Sequence, residues 1–302
     1  MLKPRKLVMI PGPTPVVRSI QDQMGRETIA FGDPDFIEDF KSVVRDLKEL
    51  WQCSGQAFVL AGSGTLAMEM AIANISKAGD KALVCSNGFF GDRYAEICRR
   101  RGLKVDVLSA EWGSSVTPED VKNKLSESKY DIVTVTHVET STGVMAPIDE
   151  IGKIVQEHGA LFVVDGVAAS GGAEEYVDPM GIDVLISCSQ KAFGVAPGLA
   201  ILWASKRALE KRRSLGTILD SYMDFEKWLP VMEDPSKYWG THPINMIWAL
   251  KESLRIIKEE GIGERYARHA RQAVMVDEAI ASMGFSILAD KDFLAPTLSV
   301  YL

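Results

Sequence analysis

Short apolar runs alternate with amphipathic stretches through the middle of the chain. Seven runs have the length of a strand and lack polar alternation, which is typical of strands covered on both faces. They are QAFVLAG (56–62), KALVCSN (81–87), KVDVLSA (104–110), YDIVTVTHV (130–138), ALFVVDGV (160–167), IDVLISCSQ (182–190) and LAILWAS (199–205). The pattern between the earlier runs predicts helices at about 65–77, 91–101, 118–127 and 147–158. Thr117, Pro118 and Asp120 form the capping signal of the third helix.

This order of elements predicts an α/β protein. Strands that alternate with helices imply right-handed crossovers, a mostly parallel sheet and a three-layer αβα arrangement. The runs 182–190 and 199–205 are joined by a short segment that contains Gly194, Pro197 and Gly198. Because this segment is too short for a crossover helix, we expect these two strands to be antiparallel.

The pattern changes after residue 205. An aromatic-rich stretch from Tyr222 to Trp239 precedes two long helical patterns, at about 243–260 and 263–283, with a break at Gly261 and Gly263. The chain closes with two short strand candidates, FSILA and APTLSVYL. We therefore expect an N-terminal arm (1–20), a large domain (21–245) and the start of a smaller, incomplete α+β domain (246–302).

Composition and charge exclude several classes of protein. Apolar residues make up 46% of the 302 residues, as in an ordinary globular chain, and the net charge is −7. An acidic balance argues against a protein whose main partner is nucleic acid or an anionic membrane surface. No run approaches the roughly 18 apolar residues of a membrane span.

The four cysteines, at 53, 85, 98 and 188, contain no CxxC pair and match neither a disulfide framework nor a zinc site. This indicates a reducing compartment. The apolar run near the N-terminus is broken by Pro11, too early for a signal peptide. We expect a soluble, cytoplasmic protein without a metal.

The turn Gly62-Ser63-Gly64-Thr65 follows a predicted strand and begins a helix. Glycines allow close approach of the backbone to an anion, and a helix N-terminus offers free N–H groups, so the turn suits a phosphate. Ordinary turns between strands and helices also favour Gly and Ser. Residues 62–67 match the GxGxxA dinucleotide fingerprint as well, but the next strand ends in Ser86-Asn87 without the ribose-binding acid, which weakens a nicotinamide interpretation.

Two ionisable residues end strands that follow one another in the sequence. Asp165 follows four apolar residues, and Lys191 follows the run 182–190 directly before a glycine-containing turn. Taken singly, each is more simply an exposed turn residue. Together with the 62–65 turn they fall on one sheet edge, where open α/β sheets bind ligands. A phosphate cradle, a carboxylate for a pyridinium nitrogen and a lysine for a Schiff base are the parts that pyridoxal phosphate requires.

Two further segments end strands at this edge. Asn87-Gly88-Phe89-Phe90-Gly91 places an aromatic ring, Phe90, where it can stack on a cofactor ring. His137-Val138-Glu139-Thr140-Ser141-Thr142-Gly143 offers hydroxyls to the ring oxygen or the phosphate. Core aromatics and a polar turn are the simpler interpretations of these two segments.

The sequence resembles the class V, fold-type I pyridoxal phosphate aminotransferases, especially the alanine–glyoxylate and serine–pyruvate branch. The resemblance runs in order from residue 8 to the end. The motifs that carry it are PGPTP (11–15), GSGT (62–65), NGFFG (87–91), HVETSTG (137–143), VVDGVAASGG (163–172), SCSQKAFGVAPG (187–198) and YWGTHP (238–243).

The resemblance implies a role for each of eleven residues. Lys191 is the Schiff-base lysine and Asp165 is the partner of the pyridinium nitrogen. The phosphate is held by Ser63, Gly64, Thr65 and Gln190, and the ring region is contacted by Phe90, Thr140 and Val167. In a homodimer, Tyr238 and Thr241 reach the phosphate of the partner subunit.

The implied activity is transamination from a small amino acid, alanine or serine, to a 2-oxo acid, glyoxylate or pyruvate, by a ping-pong mechanism. The alternatives are a lyase or desulfurase with the same cofactor and a truncated, non-catalytic paralogue. Two departures from the family stand out. Phe90 replaces the usual tryptophan, and members of the family extend several tens of residues beyond the position of Leu302, into a part that supplies an arginine for the substrate carboxylate.

Overall fold

A seven-stranded sheet forms the centre of the computed structural model, which describes residues 7–302. The large sheet and a small hairpin together contain nine strands in this part of the chain. Their bounds are β1 Gln56–Ala61, β2 Lys81–Ser86, β3 Lys104–Ser109, β4 Ile132–Thr136, β5 Val138–Glu139, β6 Val144–Met145, β7 Leu161–Asp165, β8 Val184–Cys188 and β9 Leu199–Ala204. All seven predicted runs form strands of the large sheet, and β5 and β6 form the hairpin.

The strand order in the large sheet is β1-β9-β8-β7-β4-β2-β3. All neighbours are parallel except β9, which runs antiparallel to both β1 and β8. The predicted antiparallel pair is therefore confirmed. Since β1, β2, β4, β7 and β8 all point the same way, their carboxyl ends meet at one edge of the sheet.

Ten α-helices surround the sheet in the described residues. Their bounds are α1 Arg18–Met24, α2 Pro34–Leu50, α3 Gly64–Ile75, α4 Phe89–Arg100, α5 Pro118–Glu127, α6 Ile148–His158, α7 Lys206–Ser214, α8 Phe225–Glu233, α9 Ile244–Glu260 and α10 Ile262–Ser282. The six predicted helices are confirmed, to within two residues at each boundary. The predicted capping box of α5 is present, because Thr117 Oγ1 accepts from the Asp120 N–H while the Asp120 carboxylate accepts from the Thr117 N–H.

The core lies on both faces of the sheet, as the three-layer prediction requires. The central strands β4, β7, β8 and β9 are buried along their whole length. α3 and α4 pack against each other and against the sheet, and α5 packs against α6. Apolar strands need this double cover, because a bare face would leave their side chains in water.

The aromatic stretch from Tyr222 to Trp239 packs largely within the chain. Phe225 and Trp228 are buried, and the Phe225 ring stacks on the Phe58 ring of β1 with centroids 4.4 Å apart. Tyr222 and Tyr238 remain exposed. The buried aromatic side chains of this segment therefore pack within the chain, and two of its tyrosines stay on the surface.

The two strand candidates at the end of the chain form no regular strands. They pair through one isolated antiparallel bridge, Ile287 with Tyr301, and a few backbone hydrogen bonds. A two-stranded ribbon without a third strand gains too little buried surface to form a regular ladder. The strand prediction for these segments is wrong.

The last two helices differ in their packing. α9 packs against α1 and α2, whereas α10 contains no buried residue. The domain division at residue 245 stays a prediction. No helix within residues 7–302 is both long and apolar enough to cross a membrane.

Candidate active site

A cavity of about 190 Å³ opens at the edge of the sheet where the parallel strands end. Its walls come from strand ends, from the N-terminus of α3 and from the segment before α1. The lining residues are Gly12, Pro13, Ser63, Gly64, Thr65, Met68, Phe90, Thr136, Val138, Thr140, Asp165, Val167, Ala168, Gln190 and Lys191.

The 62–65 turn forms one wall of this cavity. Ser63 is the N-cap of α3, and its Oγ accepts a hydrogen bond from the Leu66 N–H at 3.4 Å. A Cβ on Gly64 would lie 2.9 Å from Val167 Cγ2, so the turn packs directly against the segment after β7. The free N–H groups and the positive end of the α3 dipole lie at this wall, which suits an anion.

Asp165 ends β7, and its side chain is 2% exposed. Its Oδ1 accepts a hydrogen bond from the Val167 N–H at 2.9 Å. Burial raises the pKa of this carboxyl to about 7, and the carboxylates of Glu139 and Glu175 act in the same direction. The Val167 N–H and the Lys191 ammonium act against this rise in pKa. A buried acid of this kind has a strong preference for a cationic partner.

Lys191 follows β8, and its side chain makes no hydrogen bond or ion pair with residues 7–302. Removal from water lowers the pKa of its ammonium, and the nearby Cys188 and Asp165 oppose this shift. A lowered pKa increases the fraction of neutral amine, the nucleophilic form.

The loop that carries Phe90, the aromatic residue that lines the cavity, is held in place by the buried carboxylate of Glu139. Glu139 Oε2 accepts hydrogen bonds from the N–H groups of Phe90 (2.9 Å) and Gly91 (3.3 Å), at the start of α4. Its Oε1 accepts from the N–H and Oγ of Ser141. Gly88 precedes the helix with φ 152°, and a Cβ there would lie 2.5 Å from Ser141 Oγ. Only glycine fits this approach, so Glu139 caps α4 in place of the missing side chain.

The three hydroxyls of the 137–143 segment have different positions. Thr140 lines the cavity, whereas Ser141 accepts from the Phe89 N–H at 3.0 Å and Thr142 donates to the Asn87 carbonyl at 3.2 Å. Only one of the hydroxyls that we expected at the cofactor therefore lies at the cavity. The other two hold the loop that carries Phe90.

The structure brings nine of the eleven predicted site residues to this cavity. The two that it does not bring there are Tyr238 and Thr241, whose hydroxyls lie 3.3 Å apart on the surface. Tyr238 is 50% exposed and has φ 25°, a backbone angle that is unusual for any residue but glycine.

Several lining residues were not predicted from the sequence. Gly12 and Pro13 belong to the PGPTP motif, which was noted without a role in the site. Arg93, outside the lining set, donates from Nη1 to Thr65 Oγ1 at 3.3 Å, and its guanidinium lies 4.8 Å and 5.1 Å from the ring centroids of Phe89 and Phe90. Its signal was its place one turn after Phe90 on a predicted helix, since residues three apart share a face.

Comparison with known proteins agrees with this geometry. The family model for aminotransferases of class V matches residues 32–300. An uncharacterised aminotransferase of Methanocaldococcus jannaschii is 36% identical over 94% of this chain and 74% of its own. Alanine–glyoxylate aminotransferase 1 of Saccharomyces cerevisiae is 34% identical over 89% of this chain and 74% of its own. The crystal structure of an alanine–glyoxylate aminotransferase from Nostoc sp. superposes with a TM-score of 0.92 at 31% identity, and covers 100% of this chain and 81% of that one.

The chain belongs to the class V aminotransferase family. Several relatives carry the name of alanine–glyoxylate aminotransferases, and this chain is a transaminase. The cofactor of this class is pyridoxal phosphate. The family and the fold-type I architecture were both expected from the sequence, and both are confirmed.

Proposed function

We propose that this protein moves an amino group from alanine or serine to glyoxylate or pyruvate, with Lys191 and Asp165 as its catalytic residues. The observation that carries the proposal is the common cavity of Lys191, Asp165 and the 62–65 turn. In each half-reaction one amino group and one carbonyl oxygen exchange carriers, so the complete cycle needs no external oxidant or reductant.

The cavity suits the cofactor in two respects, which are the types of residue that line it and the buried polar atoms that lack a hydrogen-bond partner there. Thr136 Oγ1 and Gln190 Oε1 are buried at the cavity and have no hydrogen-bond partner within residues 7–302. Buried polar atoms are normally paired, so these two are suited to a polar ligand. Ser63, Gly64, Thr65 and Gln190 are the residues that would hold the phosphate.

When bound, pyridoxal phosphate supplies an aldehyde for covalent attachment and a ring that accepts electrons from the substrate carbon. Lys191 Nζ would be the nucleophile for that aldehyde. The free amine of Lys191 would also move a proton to and from the substrate α-carbon, and its lowered pKa increases the fraction of neutral amine that can accept this proton.

Asp165 would hold a proton on the ring nitrogen through its charge. Its pKa of about 7 belongs to a buried carboxyl for which Lys191 is the cation that lowers the pKa among residues 7–302. A cationic ring nitrogen within bonding distance lowers the pKa of such a carboxyl, so binding favours the carboxylate form. Phe90 and Val167 lie in the same cavity, where they exclude water from two sides.

The names of two relatives support a small substrate. The relatives from yeast and Nostoc carry the names of enzymes that act on alanine and glyoxylate. Loss of the visible absorbance of the bound cofactor on addition of alanine or serine, but not of leucine or phenylalanine, is the expected outcome of a half-reaction screen.

The assignment of Lys191 has a direct test. Borohydride reduction of the loaded protein followed by peptide mapping is expected to place the cofactor mass on Lys191. Lys153, an exposed lysine of α6 that pairs with Asp149, is the matched internal control. A cofactor mass on another lysine, or on none in the folded protein, contradicts the proposal.

We also propose that the protein works as a homodimer in which Tyr238 and Thr241 complete the partner's phosphate site. The strained backbone of Tyr238 supports a functional role, because such strain persists where function requires it. Hybrid dimers test this idea. A Lys191→Ala subunit paired with a Thr241→Ala subunit regains one intact site if Thr241 acts across the interface, and stays inactive if it acts within its own subunit.

The desulfurase alternative is not favoured. Such an enzyme needs a reactive thiolate above the cofactor. Cys53, Cys85, Cys98 and Cys188 are all buried, and burial raises the pKa of each thiol to about 11 or 12. These free thiols are consistent with the cytoplasmic location that we propose for the protein.

A further inference from the structure

The PGPTP segment (11–15) is tied to the lysine loop by two hydrogen bonds. The Thr14 N–H donates to the Gln190 carbonyl at 3.1 Å, and Thr14 Oγ1 donates to the Lys191 carbonyl at 3.0 Å. The two carbonyls precede and follow the Lys191 α-carbon. The segment therefore holds the backbone from which the Lys191 side chain projects.

Gly12 lies against the side chain of this lysine. A Cβ on Gly12 would be 2.6 Å from Lys191 Cδ, 3.0 Å from Lys191 Cε and 3.0 Å from the Gln190 carbonyl oxygen. Real Cβ contacts do not come as close as the first of these distances. The glycine backbone is thus a wall against the middle of the lysine stem, and both Gly12 and Pro13 face the cavity.

This contact matters because lysine is the most flexible of the site residues. A free lysine stem has four rotatable bonds, and ordering it costs up to about 2 kcal/mol of rotamer entropy. A wall at Cδ and Cε removes the rotamers that point across the position of Gly12. The remaining rotamers keep Nζ in the cavity that it shares with Asp165 and the 62–65 turn.

We propose that Gly12 is a positioning residue for Lys191, with Thr14 as the anchor that holds the PGPTP segment in place. The inference rests on the proposed function, since it concerns the amine that the function requires. It goes beyond that function because it assigns a role to residues that precede the matched family region, 32–300. Gly12 acts on the reaction only through the lysine stem.

The test compares Gly12→Ala with the wild type and with Gly32→Ala. Gly32 is the matched control because, apart from its own chain neighbours, no heavy atom of residues 7–302 lies within 4 Å of the position of its added Cβ. Apoprotein of each variant is mixed with pyridoxal phosphate, and the rate of covalent capture is followed by absorbance and mapped to Lys191 after borohydride reduction. The Kd for pyridoxine 5′-phosphate, which lacks the aldehyde, is measured in parallel.

Gly12→Ala is expected to slow covalent capture by roughly 10- to 100-fold, the usual effect of an ångström of misplacement. The Kd for pyridoxine 5′-phosphate should stay within about threefold of wild type, as should the KM for the amino donor, while kcat falls. Gly32→Ala should behave as wild type. Capture by Gly12→Ala at the rate of Gly32→Ala overturns the inference, as does a large rise in the Kd with an unchanged capture rate.

Thr14 supplies a second test, and its substitutions add no atom at a close contact, unlike Gly12→Ala. Thr14→Val keeps the shape but removes the hydroxyl that donates to the Lys191 carbonyl, and it should slow capture several-fold. Thr14→Ser keeps the hydroxyl and should restore most of the rate; equal rates for Val and Ser contradict the anchor role. If wild-type protein captures no cofactor on Lys191, the proposed function itself fails, which is distinct from failure of the positioning role.

Discussion

The stability of the Asp165→Asn apoprotein, relative to that of the wild type, should increase as the pH rises. Asp165 is 2% exposed and its folded pKa is about 7, against an ordinary value of 3.8. Between these two values the unfolded chain has lost a proton that the folded chain keeps. The unfolded state therefore binds fewer protons, and the stability of the wild type falls as the pH rises through this window.

The size of the effect follows from the two pKa values. Each pKa unit corresponds to about 1.4 kcal/mol, so the ionised carboxyl costs the folded state about 2 kcal/mol at pH 5 and about 4 kcal/mol above pH 7. Asparagine carries no charge at any of these pH values. It retains an oxygen that can accept from the Val167 N–H, which donates to Asp165 Oδ1 in the wild type. Its added N–H donors cost a roughly constant 1–3 kcal/mol if they remain unpaired.

The measurement is urea unfolding of the two apoproteins from pH 5 to pH 8 at one protein concentration. The difference in unfolding free energy, variant minus wild type, should rise by about 2–3 kcal/mol across this range. Asp149→Asn, on the exposed face of α6, is the control and should show no such slope. Pyridoxine 5′-phosphate should stabilise the wild type more than Asp165→Asn, because only the carboxylate can pair with a protonated ring nitrogen.

A flat difference between pH 5 and pH 8 would refute the reasoning, since it would mean that Asp165 ionises as readily in the folded as in the unfolded chain. A difference, variant minus wild type, that falls as the pH rises would refute the reasoning more strongly. Either result would also contradict the argument that Asp165 favours its carboxylate form only when a cationic partner binds.

Three further changes probe the walls of the site. Arg93→Gln should raise the Kd for pyridoxal phosphate roughly 5- to 30-fold at low salt and less at high salt, because a guanidinium that donates to Thr65 is lost. The control is Arg100→Gln, which removes an exposed ion pair with Glu96. Equal Kd values for the two variants count against the prediction. Glu139→Gln should lower the unfolding free energy by about 2–3 kcal/mol, because the NH2 that replaces one carboxylate oxygen cannot accept a hydrogen bond. Either the Phe90 and Gly91 N–H groups or the N–H and hydroxyl of Ser141 then lose their acceptor. A loss no larger than that of the exposed Glu96→Gln contradicts this. The four buried thiols should react with a disulfide reagent at pH 8 only on unfolding, because their raised pKa values keep them protonated. Rapid reaction of one thiol in the native protein would contradict the buried position of that cysteine.

Much of the fold was predictable because its signals are local. The seven strand runs and six helices follow from apolar periodicity, and the capping box of α5 follows from Thr117, Pro118 and Asp120 alone. The strand prediction for the two segments at the end of the chain was wrong because it used local signals alone. Their periodicity was right for a strand, but a ladder also needs partners, and the sequence of a segment does not contain its neighbours.

The candidate site divides in the same way. Nine predicted residues meet at the cavity because they end strands that point in one direction, which the order of elements already implied. Arg93 and the Gly12 wall were not predicted, since each depends on a contact between segments far apart in the chain. Ser141 and Thr142 bond to backbone groups of the 87–89 segment, because a hydroxyl in a polar turn can serve either a ligand or a neighbouring helix end.

The sequence by itself determined the class of protein through the motifs that it shares with a known family. It also determined the layer order and the types of residue that serve the cofactor, because these follow from periodicity and from residues at strand ends. Only the tertiary structure decided which atoms touch, how deeply Asp165 and Glu139 are buried, and which backbone lies against the Lys191 stem. Burial and contact set the pKa of an acid and the freedom of an amine. Both are properties of surroundings that assemble only when the chain has folded.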